Sequence, residues 1–207
     1  MELTFYGGTR TVTGANYLIE VGGKRILVDC GLFQGSRFSE DLNYQAFSYD
    51  AASIDAVLIT HSHTDHIGRL PKLYHDGFRG TVYATEPTKA IMELALPDTL
   101  DKLHAEAKEM GHQPPYDKND IRDVMERVLG VTYRQPVSLG DGLSAIFHEA
   151  SHILGSAIIE VIHQESGHEK RIAFTGDLGN PPTILLNPIE YVHSVDYTVI
   201  ESAYGDR

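Results

Sequence analysis

The sequence predicts an α/β protein built from two mixed sheets with helices outside. Two observations carry this. Short apolar runs bounded by glycine occupy both ends of the chain, whereas the stretch from 86 to 129 has a helical pattern. Polar residues of metal-binding type also follow several of those runs at their carboxyl ends, where open α/β sheets gather ligand groups.

Leu3-Thr4-Phe5-Tyr6 reads as an opening strand, ended by Gly7-Gly8. Asn16 to Val21 and Arg25 to Asp29 flank Gly22-Gly23, a hairpin signal. Ala56 to Thr60 is a buried strand. After His66 the spacing turns helical, with Ile67, Leu70, Leu73 and Tyr74 on one face and Gly77 as the stop. Thr81 to Ala84 is a short strand. Three helices are expected next: Thr88 to Leu96, broken by Pro97; Leu100 to Met110, ended by Gly111; and one capped by Asp117 that runs to Leu129 and stops at Gly130. Strands return at Leu143 to His148, Ala157 to His163, Arg171 to Thr175 and Tyr197 to Ile200, with Glu165-Ser166-Gly167-His168 as a hairpin turn.

The chain has 207 residues, enough for one domain, and an apolar fraction of 42%. No apolar run is long enough to span a bilayer, and no basic-then-apolar segment opens the chain. Cys30 is the only cysteine, so no intrachain disulfide can form. These features fit a cytoplasmic protein without a membrane partner. The net charge of -12 argues mildly against nucleic acid as a partner. Acidic metal ligands inflate that count, however, and bound cations reverse its local sign. Lys102, Lys108, Arg122 and Arg127 read as a solvated helix surface.

His61-Ser62-His63-Thr64-Asp65-His66 is the densest chemistry in the chain. Folding does not need three imidazoles and a carboxylate after a buried strand. Together they suit zinc or a similar divalent ion, and they are numerous enough to serve two. Asp29, His152, Asp177 and Glu201 each follow another strand, so five strand ends converge on one edge. Taken singly, each has a plainer reading: a turn-former, a core histidine, a Gly-Asp turn, an exposed strand end. Jointly with the histidine run these become improbable. His75, His104, His112, His163, His168 and His193 read as structural or solvated, and His148 is left open.

In this order the motifs resemble the metallo-β-lactamase superfamily: Asp29, the HxHxDH run from His61 to His66, His152 and Asp177. The ending Glu201-Ser202-Ala203-Tyr204-Gly205-Asp206-Arg207, with Ser151 to Ser156 and Phe174 to Gly179, is similar to the β-CASP branch of RNA- and DNA-processing nucleases. Ser62 stands where alanine is common in that family, Ser151 where glycine is, and Ala203 where threonine is.

The resemblance implies an αββα sandwich, with residues 1–207 forming the N-terminal portion of the metallo-β-lactamase domain. It also implies that the β-CASP domain and the C-terminal completion lie outside this stretch. By the same resemblance, His61, His63 and His152 bind one zinc, Asp65 and His66 a second, and Asp177 bridges the two. Asp29 orients the histidine loop. Asp65 accepts a proton from the attacking water, and Glu201 supports a general acid that lies elsewhere. The activity implied is phosphodiester hydrolysis in RNA by a two-metal-activated hydroxide. This chain alone is expected to be weakly active or inactive, since one ligand and the acid are lacking, and an exposed sheet edge would favour homo-oligomers. Two other functions fit less well: a hydrolase of a small ester, thioester or phosphodiester, and a metal-stabilised scaffold without catalysis.

Overall fold

A computed structural model describes residues 1–165, 167–180, 184–203 and 205. The expected turn residue Ser166, and Tyr204, Asp206 and Arg207 of the family-like ending, lie outside these residues. Two mixed sheets form, as the sequence predicts. The first has six strands in sequence order: β1 (Glu2–Phe5), β2 (Tyr17–Val21), β3 (Lys24–Val28), β4 (Ala56–Leu58), β5 (Thr81–Thr85) and β6 (Val128–Val131). Strands β1 to β3 pair antiparallel, and β3 to β6 pair parallel. The second sheet contains β7 (Val137–Gly140), β8 (Leu143–Glu149), β9 (Ala157–Glu165), β10 (His168–Phe174) and β11 (Tyr197–Val199), ordered β11-β10-β9-β8-β7. Only its β10–β11 pairing is parallel.

Side-chain alternation divides the interior into layers, because successive strand residues face opposite sides. Ile26, Val28, Ala56 and Leu58 point to the space between the sheets, where they meet Ala145, Phe147, Ile159 and Phe174. Leu27, Val57 and Ile59 point the other way, onto Leu70, Leu73, Met92, Leu96 and Leu100 of the helices. A smaller cluster, Ala150, Ile158 and Ala173, lies on the outer face of the second sheet under Leu178, Ile189 and Val192.

The helices are α1 (Arg37–Asp41), α2 (Thr64–Ile67), α3 (Leu70–His75), α4 (Glu86–Met110) and α5 (Lys118–Met125). Two expectations are corrected here. Pro97 does not break a helix: α4 runs through it for 25 residues. Met92, Leu96, Leu100 and Leu103 are buried on both sides of the proline, and this shared packing outweighs one lost hydrogen bond. The Asp117 helix does begin with a capping box to Asp120, but it ends at Met125, and Val128 to Val131 is the parallel edge strand β6. Gly130 is therefore a strand glycine and not a helix stop. A Cβ there would lie 2.0 Å from Glu86 Oε1. The short strand β7 carries only the weak Val137, Leu139 alternation and is not evident from the sequence.

The exposed Pro97 leaves the Glu93 carbonyl without its helical donor, so Pro97→Ala should stabilise the protein. We expect about 2 kcal/mol, the helix penalty less the unfolded-state entropy of proline, in urea denaturation followed by circular dichroism. A loss of stability would mean that the proline shapes the packing of α4.

Candidate metal centre

Asp29 ends β3 at φ +60, a left-handed backbone that aspartate tolerates better than most residues. This turn aims a fully buried carboxylate at the end of β4. Oδ1 accepts from the Thr60 amide at 2.8 Å. Oδ2 accepts from the Thr60 hydroxyl at 2.8 Å and lies 2.8 Å from His66 Nδ1. A proton on His66 Nδ1 leaves Nε2 free to coordinate, and one on His61 Nδ1, 3.1 Å from Thr60 Oγ1, does the same for His61. The next residues clamp the backbone of α2: Cys30 N–H donates to the His66 carbonyl at 2.7 Å and Leu32 N–H to that of Thr64 at 2.9 Å. This needs Gly31, where a Cβ would sit 1.5 Å from the Asp65 carbonyl oxygen.

His152 and Asp177 arrive from the second sheet. The Ala157 amide donates to the Thr60 carbonyl at 2.8 Å, joining the start of β9 to the end of β4. The Thr85 and Thr88 hydroxyls both donate to Gly155 O, at 2.6 and 2.9 Å, pinning the same loop to the start of α4. Ser151 adopts φ +57, a backbone that glycine takes most readily. Glu201 Oε1 accepts from the Leu178 amide at 2.7 Å, so Glu201 braces the Asp177 loop from β11.

Four groups converge. His61 Nε2 is 3.1 Å from His63 Nδ1, and His152 Nε2 is 3.2 Å from the same atom. Asp177 Oδ2 lies 3.7 Å from His61 Nε2 and 3.6 Å from His152 Nε2. All four ligand atoms fall within 4.8 Å of one another. Tetrahedral ligands at zinc distances stand about 3.3–3.4 Å apart, so this group could hold one ion. Asp177 Oδ1 lies on the other side, 3.3 Å from His66 Nε2, which is itself 3.8 Å from Asp65 Oδ2. The six expected ligands are thus together. Asp29 and Glu201 stand behind them, and His148 is elsewhere, paired with Glu160 at 2.9 Å.

The electrostatics divide the histidines. Burial, then His66, His63 and His152, pushes His61 well below its ordinary pKa, and burial and His152 lower His63. Burial also opposes charge on His66, but Asp29, Asp177 and Asp65 outweigh it and raise that imidazole to about 10. Burial would raise Asp177, yet contact with His66 and the charges of His152 and His63 hold it below the usual carboxylate range. Burial raises Asp65. The site therefore offers neutral nitrogens on one side and a field that strongly favours positive charge on the other. Sequence reasoning missed Thr60 and Gly31, whose parts in the site depend on backbone geometry and not on residue type.

A two-sheet α/β fold with such a ligand cluster defines a metallo-β-lactamase-like protein. Solved structures agree on the fold: BJP-1, a subclass B3 metallo-beta-lactamase of Bradyrhizobium japonicum, aligns with 84% of this chain and 59% of its own at TM-score 0.51 and 21% identity. The class B3 di-zinc metallo-beta-lactamase LRA-12 aligns with 87% of this chain and 62% of its own at TM-score 0.50 and 19% identity. Residues 18–175 match the metallo-beta-lactamase superfamily domain, and the chain belongs to that superfamily.

Among relatives, it is 36% identical to Ribonuclease TTHA0252 of Thermus thermophilus, over all of this chain and 44% of that protein. It is 30% identical to Transcription termination factor FttA of Methanocaldococcus jannaschii, over 99% of this chain and 32% of the factor. It is 32% identical to Integrator complex subunit 11 of Danio rerio, over 88% and 30%. These are relatives in the β-CASP branch that the motifs resemble, and the chain spans less than half of each. Among the described residues no helix is long and apolar enough to cross a membrane.

The two histidine shifts give opposite pH dependences. His66, raised to about 10, contributes stability that is complete below pH 6.5 and is lost as pH climbs through 10. His61, lowered, contributes stability that is lost as pH falls below 6.5. In excess chelator, urea midpoints should therefore peak near pH 6.5, where the two limbs meet, and fall on either side. Asp29→Asn, which keeps the shape and tolerates φ +60, should flatten the alkaline limb. An unchanged alkaline limb in Asp29→Asn would refute the assignment of that shift to Asp29.

Proposed function

We propose that this chain is the metal-dependent hydrolase module of an RNA-processing nuclease, acting on phosphodiester bonds. One observation carries the reading: Asp177 turns one oxygen to the His61 and His152 nitrogens and the other to His66, an arrangement suited to a carboxylate shared between two ions. The relatives support the substrate class, since one is named a ribonuclease and two carry names from transcription termination and the Integrator complex. Residues 1–207 are then the metallo-β-lactamase portion, and the remaining length of those relatives corresponds to further chain.

On this reading His61, His63, His152 and Asp177 hold one zinc, and Asp65, His66 and Asp177 hold a second. When bound, such a pair supplies a nucleophile near neutral pH, by lowering the water pKa from about 15.7 toward about 7, and offsets charge on the phosphorus oxygens. The protein supplies the rest. Burial keeps His61 and His63 neutral, so their lone pairs are free at physiological pH. Asp29 and Thr60 fix which ring nitrogens face the centre. Asp65, its Oδ2 3.8 Å from His66 Nε2 at the edge of the centre, would accept the proton of the attacking water. Glu201 positions the Asp177 loop through Leu178.

Elemental analysis after purification without chelator tests the site: we expect about two zinc ions per chain, and fewer in His63→Ala. A chain that purifies without metal, or whose content is unmoved by His63→Ala, contradicts the reading. We further expect RNA cleavage by this chain to be slow, because Asp65, His66 and Asp177 give the second ion only three ligands. Turnover in the ordinary enzyme range, about 1 per second or faster, would show that they suffice.

A further inference from the structure

The loop between β1 and β2 arches beside the proposed centre. It lines a cleft of about 500 Å³ that His66 and Asp177 border, a volume suited to one small ligand group such as a nucleotide. The base of the loop is pinched shut. The Tyr6 amide donates to the Asn16 carbonyl at 2.9 Å, and a Cβ on Gly7 would lie 1.9 Å from the Gly14 carbonyl oxygen. Thr13 fastens the far side: its Oγ1 accepts from the Gln34 amide at 2.9 Å and donates to the Gln34 carbonyl at 3.3 Å. Between these anchors Arg10 stands exposed at φ +57.

Arg10 is the sole lysine or arginine among the described residues that line this cleft. Arginines outside the cleft are engaged elsewhere in several cases: Arg69 donates to the Gly31 carbonyl, Arg134 pairs with Glu190, and Arg171 pairs with Glu160 and Glu169. Arg10 has no hydrogen bond or ion pair within the described structure. Its surroundings give it a task. Asp177 and Glu201 line the same cleft, and the chain carries a net charge of -12. A polyanion approaching this edge is repelled except where a cation meets it, and metal ions at the centre would neutralise only the phosphate under attack. A guanidinium is suited to the next one, because its fork matches two phosphate oxygens.

We propose that Arg10 is a substrate-positioning residue that binds a phosphate adjoining the scissile one on a single-stranded nucleic acid. This rests on the phosphodiesterase reading above. It also makes the β1–β2 loop, and not only the metal cluster, part of the recognition surface.

The test is anisotropy of a labelled single-stranded RNA oligonucleotide titrated with the zinc-loaded full chain, from about 50 to about 200 mM salt. Arg10→Ala should weaken binding roughly tenfold or more and lower the log–log salt slope by about one, with zinc content unchanged. Arg10→Lys should keep the slope and lose part of the affinity, because it keeps the charge without the fork. Equal affinity and slope in wild type and Arg10→Ala would overturn this inference and leave the metal-centre reading standing. A wild-type chain that holds zinc yet binds no RNA would overturn the phosphodiesterase reading and this inference together.

Discussion

Everything at the centre depends on one buried carboxylate. Asp29 holds the amide and hydroxyl of Thr60 and the imidazole of His66, and so fixes where β4 ends and how α2 starts. A buried carboxylate is costly unless its lone pairs are satisfied, and here three donors satisfy it. The backbone follows from the same requirement. Asp29 takes a left-handed turn so that its side chain can reach inward, and Gly31 lets the chain press against α2 directly afterwards. Rigid placement of the coordinating nitrogens comes from this clamp and not from the histidines themselves.

The second sheet meets this clamp through one backbone bond and a pair of threonine hydroxyls, with a further backbone bond holding its own loops together. Ala157 bonds to Thr60, Thr85 and Thr88 grip Gly155, and the Gly179 amide donates to the Ala150 carbonyl at 2.9 Å. The consequence is a division of labour between layers. The first sheet contributes the histidine run and its orienting groups. The second contributes His152 and Asp177, which faces histidines on both sides, with Glu201 from its edge strand behind them. Charge divides along a different line: burial keeps His61 and His63 neutral on one half of the centre, while Asp29, Asp65 and Asp177 surround His66 on the other.

Much of this was legible in the residues. The strands, their hairpins and the convergence of polar groups on one edge follow from period-two alternation and from where Asp29, His61, His152, Asp177 and Glu201 fall after apolar runs. Local signals failed where tertiary packing decides. Pro97 lies within α4 because the buried residues on either side of it share one core. Gly130 is a strand residue because residues 128–131 pair with β5, and it is crowded by Glu86, contacts that no local window contains. The braces behind the ligands were hidden for a related reason. Thr60 and Gly31 have no telling side chain, and their value lies in a hydroxyl and in an absent Cβ at positions fixed by distant neighbours.

The division of ligands between sheets has a mechanical meaning. On the proposed reading, a cation held by His61 and Asp177 would close a covalent-like loop through most of the chain and tie the two faces of the sandwich at one point. In polymer terms it acts as a crosslink, and crosslinks across loops of this size remove about 4–5 kcal/mol of unfolded-chain entropy in the simple model. Metal supply would then set how long the folded molecule lasts as well as whether it reacts. Scarcity would loosen the join between the His61 and Asp177 ends of the two sheets first.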